Sequence, residues 1–145
     1  MNLFGVMDVS ASALKAERVR AEVVAANMAN AETTRTAEGG PYQRHHVVFE
    51  AAGAGSFRQA FASQLGRSVP GGVSVTSVVS DASEPLRRYD PGHPDAAADG
   101  YVAYPDINPL TEMVDLMGAT RSYGMNASAV QAEKNMVASS LELLK

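Results

Sequence analysis

Ser12-Ala13-Leu14-Lys15 has the spacing of the S-x-x-K acyl-transfer motif, a serine nucleophile one helical turn ahead of a lysine. Its companions S-D-N and K-T-G are absent, and the tetrapeptide lies in an Ala-rich stretch, so a plain helix is the simpler reading. His45 and His46 are adjacent. On a strand they face opposite sides and cannot grip one metal together. His93 stands among Asp90, Asp95 and Asp99, an oxygen-rich set that hints at a cation site. The spacing is not that of a calcium loop, which needs acids at alternate positions and a glycine at the sixth, so turn chemistry accounts for it better. Gly39-Gly40 and Gly71-Gly72 lack the G-K-[ST] or G-x-G-x-x-G frame of a phosphate loop. No catalytic residue, cofactor or metal is expected. The chain reads as a non-enzyme.

Composition points the same way. A chain of 145 residues is one domain or one compact unit with extensions. Aromatics are only 6%, Trp is absent, and much of the 46% hydrophobic fraction is Ala, so the material for a core is thin. Net charge is −4, distributed as zero over residues 1–36, −3 over 37–109 and −1 over 110–145. No basic patch emerges, which argues against nucleic acid. The absence of Cys excludes disulfides and thiolate metal sites. The first basic residue is Lys15, and no apolar run reaches the length of a signal or a membrane span. Export, if it occurs, needs a route without a cleaved signal.

The elements separate into two helical ends and an irregular middle. Met7, Ala11, Leu14, Ala21, Val24, Ala25 and Met28 fall at helical spacing, predicting a helix from about Asp8 to Asn30. Asp8 or Ser10 would cap its start, Asn30 its end, and Arg18 and Glu22 pair on the wet face. Strands are expected over Tyr42–Glu50, Val73–Ser80, Leu86–Tyr89 and Tyr101–Tyr104, with a short helix around Phe57–Leu65. Two prolines and a glycine break the stretch Asp90–Asp95, and Asp99-Gly100 marks a turn. Asn108 caps a last helix, Pro109 takes its first position, and Thr111 and Glu112 suit its first turn. That helix runs to about Leu144.

The last helix carries a heptad stripe: Met113, Leu116, Thr120, Tyr123, Ala127, Val130, Lys134, Val137, Leu141 and Leu144. Only Thr120 and Lys134 break it. Such a seam presses against other helices, and two helices alone cannot cover it. Lys134 either snorkels to water or sets register against an acid on another helix. The fold expected is α+β, mainly α: long terminal helices in a coiled-coil-like pair, with a small β-rich middle and extended loops. The units are 1–36, 37–107 and 108–145.

Asn27-Met28-Ala29-Asn30-Ala31-Glu32-Thr33-Thr34 is similar to the N-x-A-N-A-x-T signature that closes the first helix of flagellar rod and hook axial proteins. Tyr42-Gln43-Arg44, Val47–Glu50, Tyr89–Asp95 and Gly100–Pro105 resemble stretches of the same family, the last two those of a proximal rod member. Glu112–Leu116, Arg121-Ser122-Tyr123 and Asn126 resemble its final helix. Gly124 and Met125 depart from that pattern, and residues 51–69 match loosely. The resemblance implies a structural subunit of the bacterial flagellar basal-body proximal rod, lying within the periplasm. Such a subunit is exported unfolded by the flagellar type III apparatus. It polymerises with copies of itself and with the rod proteins FlgB, FlgF, FlgG and FliE into a torque-transmitting tube around the export channel. Neither small-molecule substrate nor membrane insertion is implied. Interface residues follow from the seams and the signature: Met7, Leu14, Val24, Asn27, Met28, Asn30, Met113, Leu116, Tyr123, Val130, Val137, Leu141 and Leu144. For Asn27 and Asn30 helix termination competes with bonds to a neighbouring subunit. Another proximal rod component and a cytosolic coiled-coil adaptor are the rival functions.

Overall fold

The computed structural model describes residues 3–52, 61, 64 and 71–143. Helix α1 spans Leu3–Ala29, and the long helix α2 spans Pro109–Glu142. Between them come β1 (His45–Ala51), β2 (Val73–Ser80), β3 (Leu86–Tyr89) and β4 (Tyr101–Tyr104). The architecture is α+β, with α1 and α2 packed on each other and β1 and β2 packed on α1. The short helix expected around 57–65 lies almost wholly outside the described residues.

α1 begins five residues before Asp8, the earlier of its two expected caps, and Ser10 is buried inside it. Packing against α2 supports the extra turns, and tertiary support outweighs local capping preference. Asn30 stands just past the end of α1. Asn30 Nδ2 donates to the Ala26 carbonyl (2.9 Å), and Asn30 Oδ1 accepts from the Thr33 hydroxyl (3.1 Å). α2 starts as expected, with Pro109 in its first turn and Asn108 Oδ1 accepting from the Leu110 N–H (3.0 Å).

β1 and β2 form an antiparallel pair, His45 opposite Ser80 and Ala51 opposite Val73, with a bulge at Val48/Phe49. β1 starts three residues later than Tyr42. The chain first folds back through Gly39 and Gly40, whose φ of 91° and 77° only glycine adopts readily. β3 and β4 form a second antiparallel pair. Gly100, with φ 78°, turns into β4 beneath the Tyr89 ring, where a Cβ would meet Cε2 at 2.8 Å.

The apolar core among described residues is small: Ala16, Val24, Val102, Ile107 and Ala119. Four polar side chains are buried beside it: Ser10, Asn27, Glu112 and Glu133. Bulky apolar groups lie outside instead. On α2 these are Leu110, Met113, Val114, Met117, Tyr123, Met125, Met136 and Leu141, with Leu143 just past its end.

Candidate interaction site

The best-built polar site joins α1, β1 and α2. Asn27, two residues from the end of α1, is 1% exposed. Its Nδ2 donates to the His45 carbonyl (2.8 Å) and to Glu112 Oε2 (3.0 Å). Its Oδ1 accepts from the His45 N–H (3.0 Å) and the Tyr42 hydroxyl (3.1 Å). One side-chain amide thus matches both backbone groups of the first residue of β1, as a neighbouring strand would. Both amide hydrogens and both oxygen lone pairs are thus occupied inside the chain. Asn27 therefore acts in holding β1 to α1, and its amide hydrogens are not available to a neighbouring subunit.

Glu112 is fully buried in the first turn of α2. Its Oε1 accepts from Arg44 Nε (2.6 Å), and Arg44 Nη2 completes the ion pair at 2.6 Å. Asp115, one turn on, takes Arg20 Nη2 at 3.3 Å and lies 3.7 Å from Arg44 Nη2. Two arginines and two acids therefore close around an open cavity of about 300 Å³, which His46 and Phe49 also line. Burial first, and then the Glu112 charge, push the Tyr42 phenol above its ordinary range. Sequence reasoning placed Glu112 as a favourable charge at a helix start and passed over Arg20, Arg44 and Asp115. Helix-start chemistry is local, whereas partners 68 and 85 residues away leave no local signal.

The chemistry-bearing motifs have structural work. Ser12 Oγ donates to the Val9 carbonyl (2.7 Å) and accepts from the Val73 N–H (3.0 Å), pinning β2 to α1. Gly72 is needed there, because a Cβ would stand 2.9 Å from Ser12 Oγ. His45 Nδ1 lies 2.9 Å from the Tyr42 hydroxyl and Nε2 lies 3.3 Å from Ser80 Oγ. His46 turns toward Asp81 (3.8 Å) instead. In the Asp90–Asp99 loop, Asp95 receives Arg35 (2.8 Å) and the Thr34 hydroxyl (2.8 Å), tying the loop to the chain just after α1. His93 Nδ1 accepts the Asp95 N–H (3.1 Å), and Asp99 is paired with Arg87. Among the described residues no three His, Asp or Glu side chains converge as metal ligands.

The expected seam of α2 splits into two rows. Met113, Thr120, Ala127, Lys134 and Leu141 are all exposed. Leu116, Val130 and Val137 are half-buried and Tyr123 is 44% exposed, so this row flanks the contact with α1. The row that faces α1 is Glu112, Ala119, Asn126 and Glu133, one residue earlier in the heptad. The seam expected from hydrophobicity is thus offset from the helix pair's own seam, which is small and polar. On α1, Val24 is buried, while Met7, Leu14, Met28 and Asn30 are half-buried. Leu144 lies outside the described residues.

Residues 7–35 match the family described as flagella basal body rod protein, and residues 98–143 match the family described as flagellar basal body rod FlgEFG protein C-terminal. The chain is 44% identical to the flagellar basal-body rod protein FlgC of Bacillus subtilis over 151 aligned positions, covering 100% of both. It is 34% identical to FlgC of Borreliella burgdorferi, over 100% of this chain and 99% of that one. It is 35% identical to FlgC of Salmonella typhimurium, over 99% of this chain and 98% of that one. Similarity of this degree along the whole length of both partners, in three distantly related bacteria, shows that the chain belongs to the FlgC family of flagellar basal-body rod proteins.

Proposed function

We propose that the chain is a structural subunit of the proximal rod of the flagellar basal body, part of the tube that transmits torque and encloses the export channel. The observation that carries this reading is the outward row Met113, Thr120, Ala127, Lys134 and Leu141, joined by Leu110, Val114, Met117, Met125 and Met136. Among the described elements α2 packs on α1 alone, and these apolar residues of α2 are left exposed. A helix that is apolar on faces its own fold leaves bare is built for neighbours.

Its partners are copies of itself and the rod proteins FlgB, FlgF, FlgG and FliE, and it works without catalysis or cofactor. It reaches the periplasm through the flagellar type III apparatus. Residues 1–36 and 108–145 form the inner helical part and 37–107 the outer part. Of the interface residues expected, Met7, Leu14, Met28, Asn30, Met113, Leu116, Tyr123, Val130, Val137 and Leu141 retain exposed surface for neighbours.

Leu141→Asp tests this reading. Leu141 is 60% exposed, so the substitution leaves the isolated chain's melting temperature within a degree or two, as surface changes do. It buries a charge only once a neighbour packs there. The expected result is a folded subunit and a non-motile cell without completed rods. Normal swimming sinks the proposal.

A further inference from the structure

His45 and Ser80 are direct cross-strand partners, the first residue of β1 opposite the last of β2. Side chains at such a pair share one face of the ladder and lie within reach of each other. His45 Nε2 lies 3.3 Å from Ser80 Oγ, and His45 Nδ1 lies 2.9 Å from the Tyr42 hydroxyl. The Tyr42 hydroxyl lies 3.1 Å from Asn27 Oδ1. A hydroxyl, an imidazole and a group that orients the imidazole stand in the order of an activated nucleophile.

Asn27 decides which imidazole nitrogen carries the proton. Its Nδ2 gives both hydrogens away, to the His45 carbonyl and to Glu112, so the amide cannot be turned over. Oδ1 therefore faces Tyr42, and because it only accepts, the phenol proton goes to it. The phenol oxygen is left to accept, and His45 Nδ1–H is the donor beside it. Nε2 is then bare and meets the Ser80 hydroxyl, which has no other hydrogen-bond partner among the described residues. An imidazole's free nitrogen is set in this way by the bond its other nitrogen makes.

A cavity of about 490 Å³ opens beside this chain of bonds, lined by Ser80, His45 and Tyr42 and by Thr36, Glu38 and Gln43. Its size is that of a small-molecule site. Gln43 is exposed and its amide makes no hydrogen bond among the described residues, so its hydrogens are free to meet a developing oxyanion. The Glu38 carboxylate on the wall disfavours an anionic reactant.

We propose that Ser80 is a covalent acceptor site, taking an acyl group from a neutral activated ester with His45 as its base. Ser80 Oγ attacks the ester carbonyl carbon while its proton passes to His45 Nε2. The tetrahedral carbon then expels the alkoxide, which leaves with that proton from His45. One C–O bond forms and one breaks, nothing is oxidised or reduced, and His45 ends neutral. The acyl group stays on Ser80, so the step modifies the subunit once and is not turnover. Tyr42 and Asn27 are positioning residues that hold the tautomer. None of this depends on the rod reading.

The test uses the purified full chain and p-nitrophenyl acetate, with peptide mass mapping of the acetyl group. The expected result is acetyl on Ser80 ahead of every other hydroxyl in the chain. Ser80→Ala removes that label, and because Ser80 is exposed at a strand end this variant keeps the fold. His45→Gln should slow labelling of Ser80 by about 10²-fold, the scale of a lost general base. Tyr42→Phe should slow it several-fold. In the same variant the ¹⁵N shifts of His45 should move from the Nδ1–H form toward the Nε2–H form, a change that loss of packing alone does not produce. Acetyl on lysines with none on Ser80 overturns the proposal, as does equal labelling of Ser80 in His45→Gln. An Nε2–H signal for His45 in the parent chain overturns it as well.

Discussion

Asn27 concentrates more consequence than any other residue described. Removing its amide leaves the His45 N–H and carbonyl and one Glu112 oxygen without partners in a buried place. Each orphaned group costs about 1–3 kcal/mol, and Glu112 is charged. Asn27→Ala should therefore lower unfolding free energy by roughly 2–4 kcal/mol. Asn30→Ala, losing an exposed cap, should cost under about 1 kcal/mol. Urea titration of both separates a hub from a cap, and equal losses contradict the assignment. Tyr42 gives the pH counterpart. Its phenol is raised above the ordinary value, so the folded state holds this proton more tightly than the unfolded chain. The contribution is whole below the unfolded pKa of about 10 and is lost as pH climbs through the folded value. Stability of the parent chain should thus fall above about pH 10 more steeply than that of Tyr42→Phe. Parallel melting curves for the two in that range leave Tyr42 without this role.

At the scale of elements, α2 shows why hydrophobic periodicity names the helix but misplaces its face. The stripe from Met113 to Leu141 marks helix type correctly, and Asn108-Pro109 marks its start. The pattern cannot say which of two neighbouring heptad rows meets α1. That choice goes to Glu112, Ala119, Asn126 and Glu133, because small and polar groups allow close approach and because Arg44 and Asn27 wait for Glu112. The same logic explains the other gains and misses. Four strands were legible from alternation and turn residues, whereas the early start of α1 depended on α2 lying alongside. The hub was illegible because its members are distant in sequence. Glu133 exposes the tension in this seam. It is 5% exposed, and its Oε2 has no hydrogen-bond partner among the described residues. A buried carboxylate without a partner is a net cost, so Glu133→Met should raise the midpoint of urea unfolding, corresponding to about 1 kcal/mol or more. A lower midpoint shows instead that the carboxylate is held by something that stabilises it.

The molecule as a whole is held at two points along α1 by unlike means. Near residue 27 the hub ties α1, α2 and β1 together; near residue 12 one hydroxyl ties α1 to β2. The Asp95 clasp to Thr34 and Arg35 fastens the β3–β4 side independently of both. These anchors dictate how a truncation propagates. Deleting residues 2–14 removes the Ser12 pin and uncovers α2 beyond about residue 125, the level at which α1 would then begin. It spares the hub and the clasp. Amides of β1, β3 and β4 should keep their hydrogen-exchange protection, those of β2 near Val73 should lose part of it, and those of α2 past that level should exchange quickly. Rod assembly should fail, because the exposed rows of α2 no longer ride on a supported helix. Retained protection along the whole of α2 would mean that α1 is not what orders it, and intact basal bodies from such a strain would mean that the first turns of α1 are dispensable for packing.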